Sequence, residues 1–378
     1  MSPRPAPIGL WSGRIPLLHR YGEASYYLQC SSALAALSTD TRWLLSGHES
    51  KAELHALRSR GITVDQPAVA WPPRRVTRAV RAPRCEWQYR NLRLVHYWSS
   101  TSAAPTGLPY VLTILDGIAL GGRFGERGDL EATRRLAHRA RAVMTLTWES
   151  ADLLGELLGL NKSDLVPVGA GVDEQRFSAA SDAGDQPVVD TYQLPSTYVL
   201  YLGGWAERKG LDALARALGH IDPDHRPVVA LSGEPRTKDS ALARDLRSLG
   251  AVTLGYVPDE HIPALLRKAT ALVVPALAEG FGLPVVEAQA CGTPVVASDL
   301  PVLRSVSGEH CVFFPPGSAP AMARALLDTQ TRPPQLIENG LRNARRHSWK
   351  TVAQRVSSVY AMALERPDAA SASAARAG

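Results

Sequence analysis

Cysteine is scarce in this 378-residue sequence, and its four copies are far apart. None forms a C-x-x-C pair, so we expect neither a disulfide framework nor a zinc knuckle, and a reducing cytoplasm fits this pattern. The four residues are Cys30, Cys85, Cys291 and Cys311.

Long apolar runs are also missing. No stretch reaches the roughly 18 apolar residues that a bilayer span needs. The opening MSPRPAPIGLWSG lacks the apolar core of a secretory signal. We therefore expect a soluble, cytoplasmic protein, with peripheral contact to the inner membrane face as an open alternative.

Strong charge and phosphate-binding motifs are absent too. The formal net charge of +6 is modest for this length and selects no class of partner. No G-x-x-x-x-G-K-[ST] occurs, which excludes a P-loop, and GGRFGERG (121–128) lacks the Rossmann spacing. Asp222-Pro-Asp224 lies between a helix and a strand, so a solvated turn is a better interpretation than a metal motif. We expect neither a cofactor nor a required metal.

Short apolar runs alternate with helix-period segments along most of the chain. This alternation predicts βαβ units and parallel sheets, and the length exceeds one comfortable core. We predict an α/β protein with two doubly wound Rossmann-like domains, residues 1–180 and 181–348. Ligands would bind in a cleft between them, where the carboxyl ends of the strands converge. Residues 178–195 lose the apolar periodicity and are interpreted as a linker.

The C-terminal residues fall into two parts. Residues 349–365 have the apolar spacing of an amphipathic helix that docks onto a domain. From spacing alone, this helix either caps the second domain or bridges back to the first. Residues 366–378 carry too little apolar material to fold and are predicted to be disordered.

The most informative stretch is EGFGLPVVEAQACGTPVV, residues 279–296. It follows a buried-strand pattern, and Pro284 suits the first turn of a helix. Gly280 and Gly282 let the backbone approach a ligand, and the helix start favours an anion or a polar sugar. Glu279 would lie in the loop at the carboxyl end of the strand, where open parallel sheets bind ligands.

Two carboxylates flank this turn, and carboxylates accept hydrogen bonds from vicinal hydroxyls of a sugar or ribose. Glu287 falls near the end of the first helical turn, so it can face the same cleft as Glu279. Taken singly, Glu279 could be an exposed loop acid and Glu287 a helix-dipole residue. Together with the glycines, the proline and the preceding strand, they favour a sugar or ribose site.

This segment resembles the E-x7-E signature of retaining glycosyltransferases of family 4 (group 1), which have the two-domain GT-B fold. A second family motif, asparagine-Gly-Val-Asp, has Ala170 here in place of its asparagine. The resemblance covers most of the chain and implies that the terminal helix crosses back to the first domain. Its other segments are residues 145–177, 198–218, 252–282 and 347–360.

The resemblance implies a role for each matching residue. Glu279 would face the transferred sugar and Glu287 the ribose, while Arg208 and Lys209 would neutralise the departing diphosphate. Arg208 could equally be a solvated basic turn. Backbone groups would contact the sugar and diphosphate at Gly280, Phe281, Gly282 and Leu283, and the base at Tyr256 and Val257.

The first half departs from the family pattern at one position. Leu115 stands where the family commonly has a histidine, and Asp116 follows it as our candidate for holding the acceptor or the donor sugar. His96 could partly substitute, although a lone histidine is more often structural. In the loop 9–25, which includes Gly13, Arg14 and Tyr21, we select only Gly22, at the start of a helix, as a donor contact.

A basic run, PPRRVTRAVRAPR, occupies residues 72–84. Arg74, Arg78 and Arg81 follow helical spacing, which fits either a solvated face or contact with anionic lipid or an anionic acceptor. Nucleic acid is a poor fit, because the nearby aromatics form no stacking platform.

The resemblance predicts a retaining, metal-independent hexosyltransferase. The donor would be a nucleotide diphosphate sugar, UDP- or GDP-linked, and the acceptor a hydroxyl of a glycan, a lipid-linked intermediate or a secondary metabolite. A GT-B sugar-nucleotide epimerase and a non-catalytic sugar-nucleotide-binding protein are the alternatives.

Overall fold

Parallel strands followed by helices recur in both halves of the chain. The computed structural model describes residues 6–11, 22–71, 84–100, 103–122, 124 and 128–366. The chain divides into two units, Met1–Gly169 with Trp349–Gly378 (unit 1) and Ala170–Ser348 (unit 2). Together with the solved structures compared below, this confirms the predicted class of two Rossmann-like domains.

Unit 1 is built on a parallel sheet with the strand order β3-β2-β1-β4-β5-β6-β7. Strand β1 lies inside the sheet between β2 and β4, where Ile8 pairs with Thr41 on one side and Leu94 on the other. All of these strands are short, and all except the edge strands β3 and β7 are mostly buried, as expected when helices cover both faces. The strands are β1 (Ile8–Trp11), β2 (Thr41–Leu44), β3 (Val64–Asp65), β4 (Leu94–Tyr97), β5 (Tyr110–Thr113), β6 (Val143–Thr145) and β7 (Leu165–Pro167).

Capping side chains and a glycine mark the ends of two helices of unit 1. Ser50 and Glu53 form a capping box at the start of one helix, and Thr147 caps another. Gly159 ends the second in the left-handed conformation. In the described residues before position 170, the helices are α1 (Glu23–Ala36), α2 (Lys51–Arg58), α3 (Cys85–Gln88), α4 (Leu130–Ala137) and α5 (Trp148–Leu158).

Unit 2 repeats the architecture with the strand order β10-β9-β8-β11-β12-β13. Its strands are β8 (Val199–Tyr201), β9 (Val229–Ser232), β10 (Val252–Gly255), β11 (Ala271–Val274), β12 (Val295–Ser298) and β13 (Val312–Phe314). Its helices are α6 (Asp185–Thr191), α7 (Leu211–Gly219), α8 (Ser240–Ser248), α9 (Ile262–Lys268), α10 (Leu283–Ala290), α11 (Pro301–Ser307), α12 (Ala319–Asp328) and α13 (Pro334–Ala344).

The interpretation of residues 178–195 as a linker is wrong over α6. Asp185 is buried at the start of this helix and accepts hydrogen bonds from the Arg267 guanidinium at 2.8 and 2.5 Å. Its partner lies far along the chain, so local apolar periodicity does not reveal the helix. Unit 2 begins at Ala170, whereas the sequence placed the domain boundary after residue 180.

The last helix, α14 (Trp349–Glu365), belongs to unit 1 although it follows unit 2 in sequence. Its Tyr360 hydroxyl lies 2.7 Å from His96 Nδ1, and its Ser357 hydroxyl lies 3.0 Å from that of Thr39. The expectation that this helix crosses back to the first domain is confirmed. The tail predicted to be disordered lies outside the described residues from position 367 onward.

His96 is a core residue and not a substitute for the family histidine. It is fully buried, its Nε2 lies 2.7 Å from Thr113 Oγ1, and its ring packs 3.9 Å from that of Trp98. Burial lowers the pKa of His96 to about 3, so the ring is neutral at physiological pH. Both nitrogens are engaged, which leaves the side chain to fasten α14 to the sheet.

Candidate active site

The stretch around Glu279 folds as strand, loop, helix and strand, as its sequence predicts. Strand β11 ends at Val274, and α10 begins directly after Gly282, with Pro284 in its first turn. Gly282 has a φ of 92°, and a Cβ there would lie 2.6 Å from Leu303 Cδ2. Glycine is therefore required where the loop turns into the helix.

A second loop of unit 2 meets the first one. It follows β8 and forms a short 3-10 turn, Glu207–Lys209, and Gly210 then directly precedes α7. The Leu277 amide donates a hydrogen bond of 2.7 Å to the Arg208 carbonyl. A Cβ on Gly210 would lie 1.8 Å from the Pro275 carbonyl oxygen, so this close approach depends on glycine.

The two loops bring Lys209 and Glu279 into contact. Lys209 Nζ donates to Glu279 Oε2 at 2.6 Å, and the two side chains are 20% and 14% exposed. An ion pair this shielded from water interacts more strongly than a surface pair. The contact joins two residues that the sequence analysis selected from different segments. It places a cation beside the start of α10.

Glu287 lies on α10 and carries a perturbed carboxyl group. Burial raises its pKa to about 7, with the Arg176 guanidinium opposing the shift and Asp259 adding to it. Arg176 donates a hydrogen bond of 2.8 Å to the Asp259 carbonyl oxygen and lies over the Phe177 ring. Sequence reasoning missed Arg176, although it ends the motif that begins at Gly169-Ala-Gly-Val.

The remaining unit 2 candidates differ in what they offer. The Phe281 ring is buried and packs edge-on against His347, so only its backbone amide suits ligand contact. Leu283 is the first residue of α10, and Gly280 precedes Phe281 in the loop. Tyr256 and Val257 follow β10, which β9 separates from β8, so they lie toward the sheet edge and away from the Lys209–Glu279 pair.

The unit 1 candidates form a separate group with acidic character. Gly22, with a φ of 41°, is the residue before α1, and Glu23 opens the helix. Asp116 lies just beyond β5, where its carboxylate accepts from the Ile118 amide at 2.9 Å. Burial raises the pKa of Glu23 and the Asp116 charge raises it further, so the two acids lie close together. Sequence reasoning missed Glu23, whose one signal is its place directly after Gly22.

Several candidates of the sequence analysis lie outside the described residues. They are Gly13, Arg14, Tyr21, Arg74, Arg78 and Arg81. Within the described ranges, no group of three His, Cys, Asp or Glu side chains is arranged to hold a metal ion. In the same part of the chain, no helix is both long enough and apolar enough to cross a membrane.

Comparison with known proteins identifies the family of this chain. The family model described as glycosyl transferases group 1 matches residues 196–331. D-inositol 3-phosphate glycosyltransferase 1 of Catenulispora acidiphila is 32% identical over 302 residues, 71% of this chain and 72% of that protein. The chain belongs to the group 1 glycosyl transferases. This confirms the family that the E-x7-E segment suggested.

Other group 1 relatives match over less of their length. O-antigen chain mannosyltransferase B of Escherichia coli is 33% identical over 186 residues, 46% of this chain and 48% of that protein. The chain thus spans about half the length of several of the curated relatives that it matches.

Solved structures agree on the GT-B fold of this group 1 member. Sucrose-phosphate synthase from Thermosynechococcus elongatus matches with a TM-score of 0.71 at 19% identity, covering 94% of this chain and 98% of that one. HepE from Anabaena, solved with UDP and glucose, matches with a TM-score of 0.72 at 15% identity, covering 94% and 99%.

Proposed function

We propose that this group 1 member is a retaining, metal-independent hexosyltransferase. It takes a hexosyl group from a UDP- or GDP-sugar and delivers it to an acceptor hydroxyl. The observation that carries the proposal is the 2.6 Å contact of Lys209 with Glu279 beside the Gly282 turn of unit 2. Support for the donor class comes from Anabaena HepE, which was solved with UDP-glucose.

Departure of the nucleoside diphosphate is the step that most needs the protein. The bond between the sugar C1 and the phosphate oxygen breaks, and the electron pair leaves with the diphosphate. Lys209 and Arg208 offset the negative charge that develops there, as do the amides at the start of α10. The acceptor oxygen then bonds to C1 on the same face, and its proton passes to the departing phosphate.

Glu279 has two states in this scheme. Without donor, it neutralises Lys209. A bound diphosphate competes for the lysine, and the Glu279 carboxylate then accepts hydrogen bonds from hydroxyls of the transferred sugar. The ion pair therefore holds both side chains near their working positions before the donor arrives.

Glu287 binds the nucleoside end of the donor. Its carboxyl group accepts from the ribose hydroxyls, and backbone groups at Gly280, Phe281, Gly282 and Leu283 line the sugar and diphosphate. The base lies along the backbone of Tyr256 and Val257. Gly22 is assigned to the donor, and Asp116 to the acceptor or the donor sugar.

The acceptor is a polyhydroxylated molecule. The names of two relatives support this acceptor class. They are D-inositol 3-phosphate glycosyltransferase and O-antigen chain mannosyltransferase. Glu23 and Asp116 would accept hydrogen bonds from acceptor hydroxyls and orient the one that reacts. A glycan, a lipid-linked intermediate and a small polyol metabolite all satisfy this chemistry.

A panel of UDP-, GDP- and dTDP-sugars tests the proposal. We expect slow hydrolysis of one donor without acceptor, followed by mass spectrometry, and an anomeric centre of unchanged configuration by NMR when an acceptor is added. Glu279→Ala should abolish both reactions, whereas Glu338→Ala, which removes an exposed acid of the same unit, should leave them intact. Added EDTA should have no effect.

Two results would overturn this assignment. Conversion of the donor into an epimer would replace transfer with epimerisation. Tight donor binding without turnover of any sugar nucleotide in the panel would make the site a binding site only, and turnover that Glu279→Ala leaves unchanged would remove Glu279 from the reaction.

A further inference from the structure

Three glycines lie side by side where neighbouring strands of unit 2 end. Gly204 lies in the loop after β8, Gly233 follows β9, and Gly255 ends β10. The Gly233 amide donates to the Gly255 carbonyl at 2.7 Å, and a Cβ on Gly233 would lie 3.5 Å from the Gly204 Cα. We call these three residues the glycine floor. Because none of them carries a side chain, a planar ring can lie directly against the backbone there.

The glycine floor lies at the carboxyl ends of the strands, where open parallel sheets bind ligands. Strand β8 is next to β11, which precedes the Glu279 loop, whereas β9 and β10 follow on its other side. The floor therefore runs from the loop that carries Lys209 toward Tyr256, the residue after Gly255. In the proposed reaction, the donor follows this path from its diphosphate to its base.

One carboxylate lies beside this floor. Glu234 directly follows Gly233, and a Cβ added to Gly255 would lie 3.5 Å from Glu234 Oε1. The residue is exposed, and within the described part of unit 2 its carboxylate has neither a hydrogen bond nor an ion pair. Arg236, two residues later, pairs with Asp239 at 3.3 Å instead. The Glu234 carboxylate is therefore available to a ligand on the floor.

A carboxylate at this place distinguishes nucleobases by their hydrogen-bond donors. The Watson–Crick edge of guanine carries two adjacent donors, N1–H and the N2 amino group, which match the two oxygens of a carboxylate. Uracil offers a single N3–H between two carbonyl oxygens, and adenine places an acceptor nitrogen beside its amino group. Those acceptor atoms repel a carboxylate, so the same group favours one base and disfavours the others.

We infer that Glu234 selects a guanine nucleotide, so that the donor is a GDP-sugar. The guanine ring lies on the glycine floor, and its N1–H and N2 amino groups donate to the Glu234 carboxylate. This inference rests on the proposed function, which leaves UDP and GDP open, and it narrows that choice through one side chain.

Isothermal titration calorimetry with nucleoside diphosphates tests the selection without requiring turnover. The wild type should bind GDP at least about tenfold more tightly than UDP or ADP, because only guanine gains a pair of charge-assisted hydrogen bonds. Inosine diphosphate, which lacks only the N2 amino group, should bind about fivefold more weakly than GDP. Glu234→Ala should lower the affinity for GDP about tenfold and leave the affinity for UDP unchanged.

A comparison of two ligands in each variant isolates the carboxylate from the rest of the site. In Glu234→Ala, GDP and inosine diphosphate should bind equally, because the group that recognises the N2 amino group is gone. Glu338→Ala is the matched control. It removes another exposed acid of unit 2, on α13, and should keep the wild-type order of affinities. Both variants should keep the wild-type melting temperature, since both side chains are exposed.

Three results would overturn the selection. They are a wild type that prefers UDP or ADP to GDP, a Glu234→Ala variant that keeps the difference between GDP and inosine diphosphate, and an equal loss of affinity for GDP and UDP in that variant. A preference for UDP would leave the proposed transfer intact, because turnover of a UDP-sugar tests it separately. Binding of none of the nucleotides would overturn both proposals.

Discussion

The charged side chains beyond the carboxyl ends of the strands differ between the two units. In unit 2, Glu279 contacts the Lys209 ammonium at 2.6 Å. In unit 1, Glu23 lies close enough to Asp116 for that charge to add to the effect of burial and raise the pKa of Glu23. Opposite charges attract in one unit and like charges repel in the other.

The difference indicates which ligand groups each sheet favours. A cation beside the start of a helix attracts phosphate, and we propose that a bound phosphate displaces its carboxylate partner. Two neighbouring acids repel phosphate but accept hydrogen bonds from hydroxyl groups. We therefore propose that unit 2 binds the charged half of the donor and that unit 1 binds a hydroxyl-rich acceptor.

The largest expected effect comes from removing the cation of unit 2. Lys209→Met should lower donor turnover about 10²–10³-fold, the usual cost of losing one group that stabilises developing negative charge. Steady-state hydrolysis and transfer rates measure this loss. Lys268→Met, which removes another half-buried lysine of unit 2, should leave the rates unchanged.

A double variant separates charge stabilisation from stability. Lys209→Met alone leaves the Glu279 carboxylate half-buried without its partner, so the melting temperature should fall. Lys209→Met combined with Glu279→Gln should recover the melting temperature but not the turnover. Recovery of turnover in the double variant would contradict the roles of both Lys209 and Glu279.

The next effect compares the glycines that precede a helix in each unit. Gly210→Ala should lower the free energy of unfolding by about 3 kcal/mol, since its Cβ would overlap the Pro275 carbonyl and its φ is +74°. At Gly22, φ is +41° and nothing in the described part of the chain lies within 4 Å of an added Cβ.

Gly22→Ala should therefore cost only the strain of a sparsely populated backbone conformation, about 2 kcal/mol. Urea denaturation of both variants measures the difference. Equal losses would mean that the loop around Pro275 moves aside, and the close contact of the two unit 2 loops would not depend on glycine.

A smaller effect concerns the pH dependence of Glu287. Its pKa rises from 4.5 to about 7 because of burial, so the folded chain holds a proton that the unfolded chain releases. Its contribution to stability is present below pH 4.5 and is lost as the pH rises toward about 7. Glu287→Gln should therefore stabilise the protein by about 1–2 kcal/mol at pH 8 and by much less at pH 5.

Melting temperatures at both pH values, without donor, measure this difference. Glu338→Gln is the control, because its carboxyl group is exposed on α13. A gain that is the same at pH 5 and pH 8 would show that packing, and not the proton, causes the stabilisation.

The sequence predicts the parts of the fold that depend on local pattern. The strand before Glu279, the helix after Gly282 and the amphipathic α14 follow from apolar spacing, proline and glycine. Parts that depend on distant partners do not follow. Within the expected linker, Asp185 at the start of a helix pairs with Arg267, and the buried His96 contacts Tyr360 of the last helix.

The candidate site divides in the same way. Glu279, Glu287 and Lys209 could be selected from the sequence because family motifs surround them. The contact between Lys209 and Glu279 joins positions 70 residues apart, and no local pattern encodes it. Sequence reasoning missed Arg176 and Glu23 because only folding brings Arg176 near the Glu287 carboxyl group and Glu23 near Asp116.

The smallest expected effect tests the acidic half of the comparison. Asp116→Asn removes the charge that Glu23 faces but keeps the hydrogen bond to the Ile118 amide within reach. If unit 1 orients acceptor hydroxyls, transfer should fall about fivefold, the cost of about 1 kcal/mol for one hydrogen bond, while donor hydrolysis stays unchanged. Asp152→Asn, at an exposed acid of α5, should alter neither rate. An equal loss of hydrolysis and transfer would instead assign Asp116 to the donor sugar.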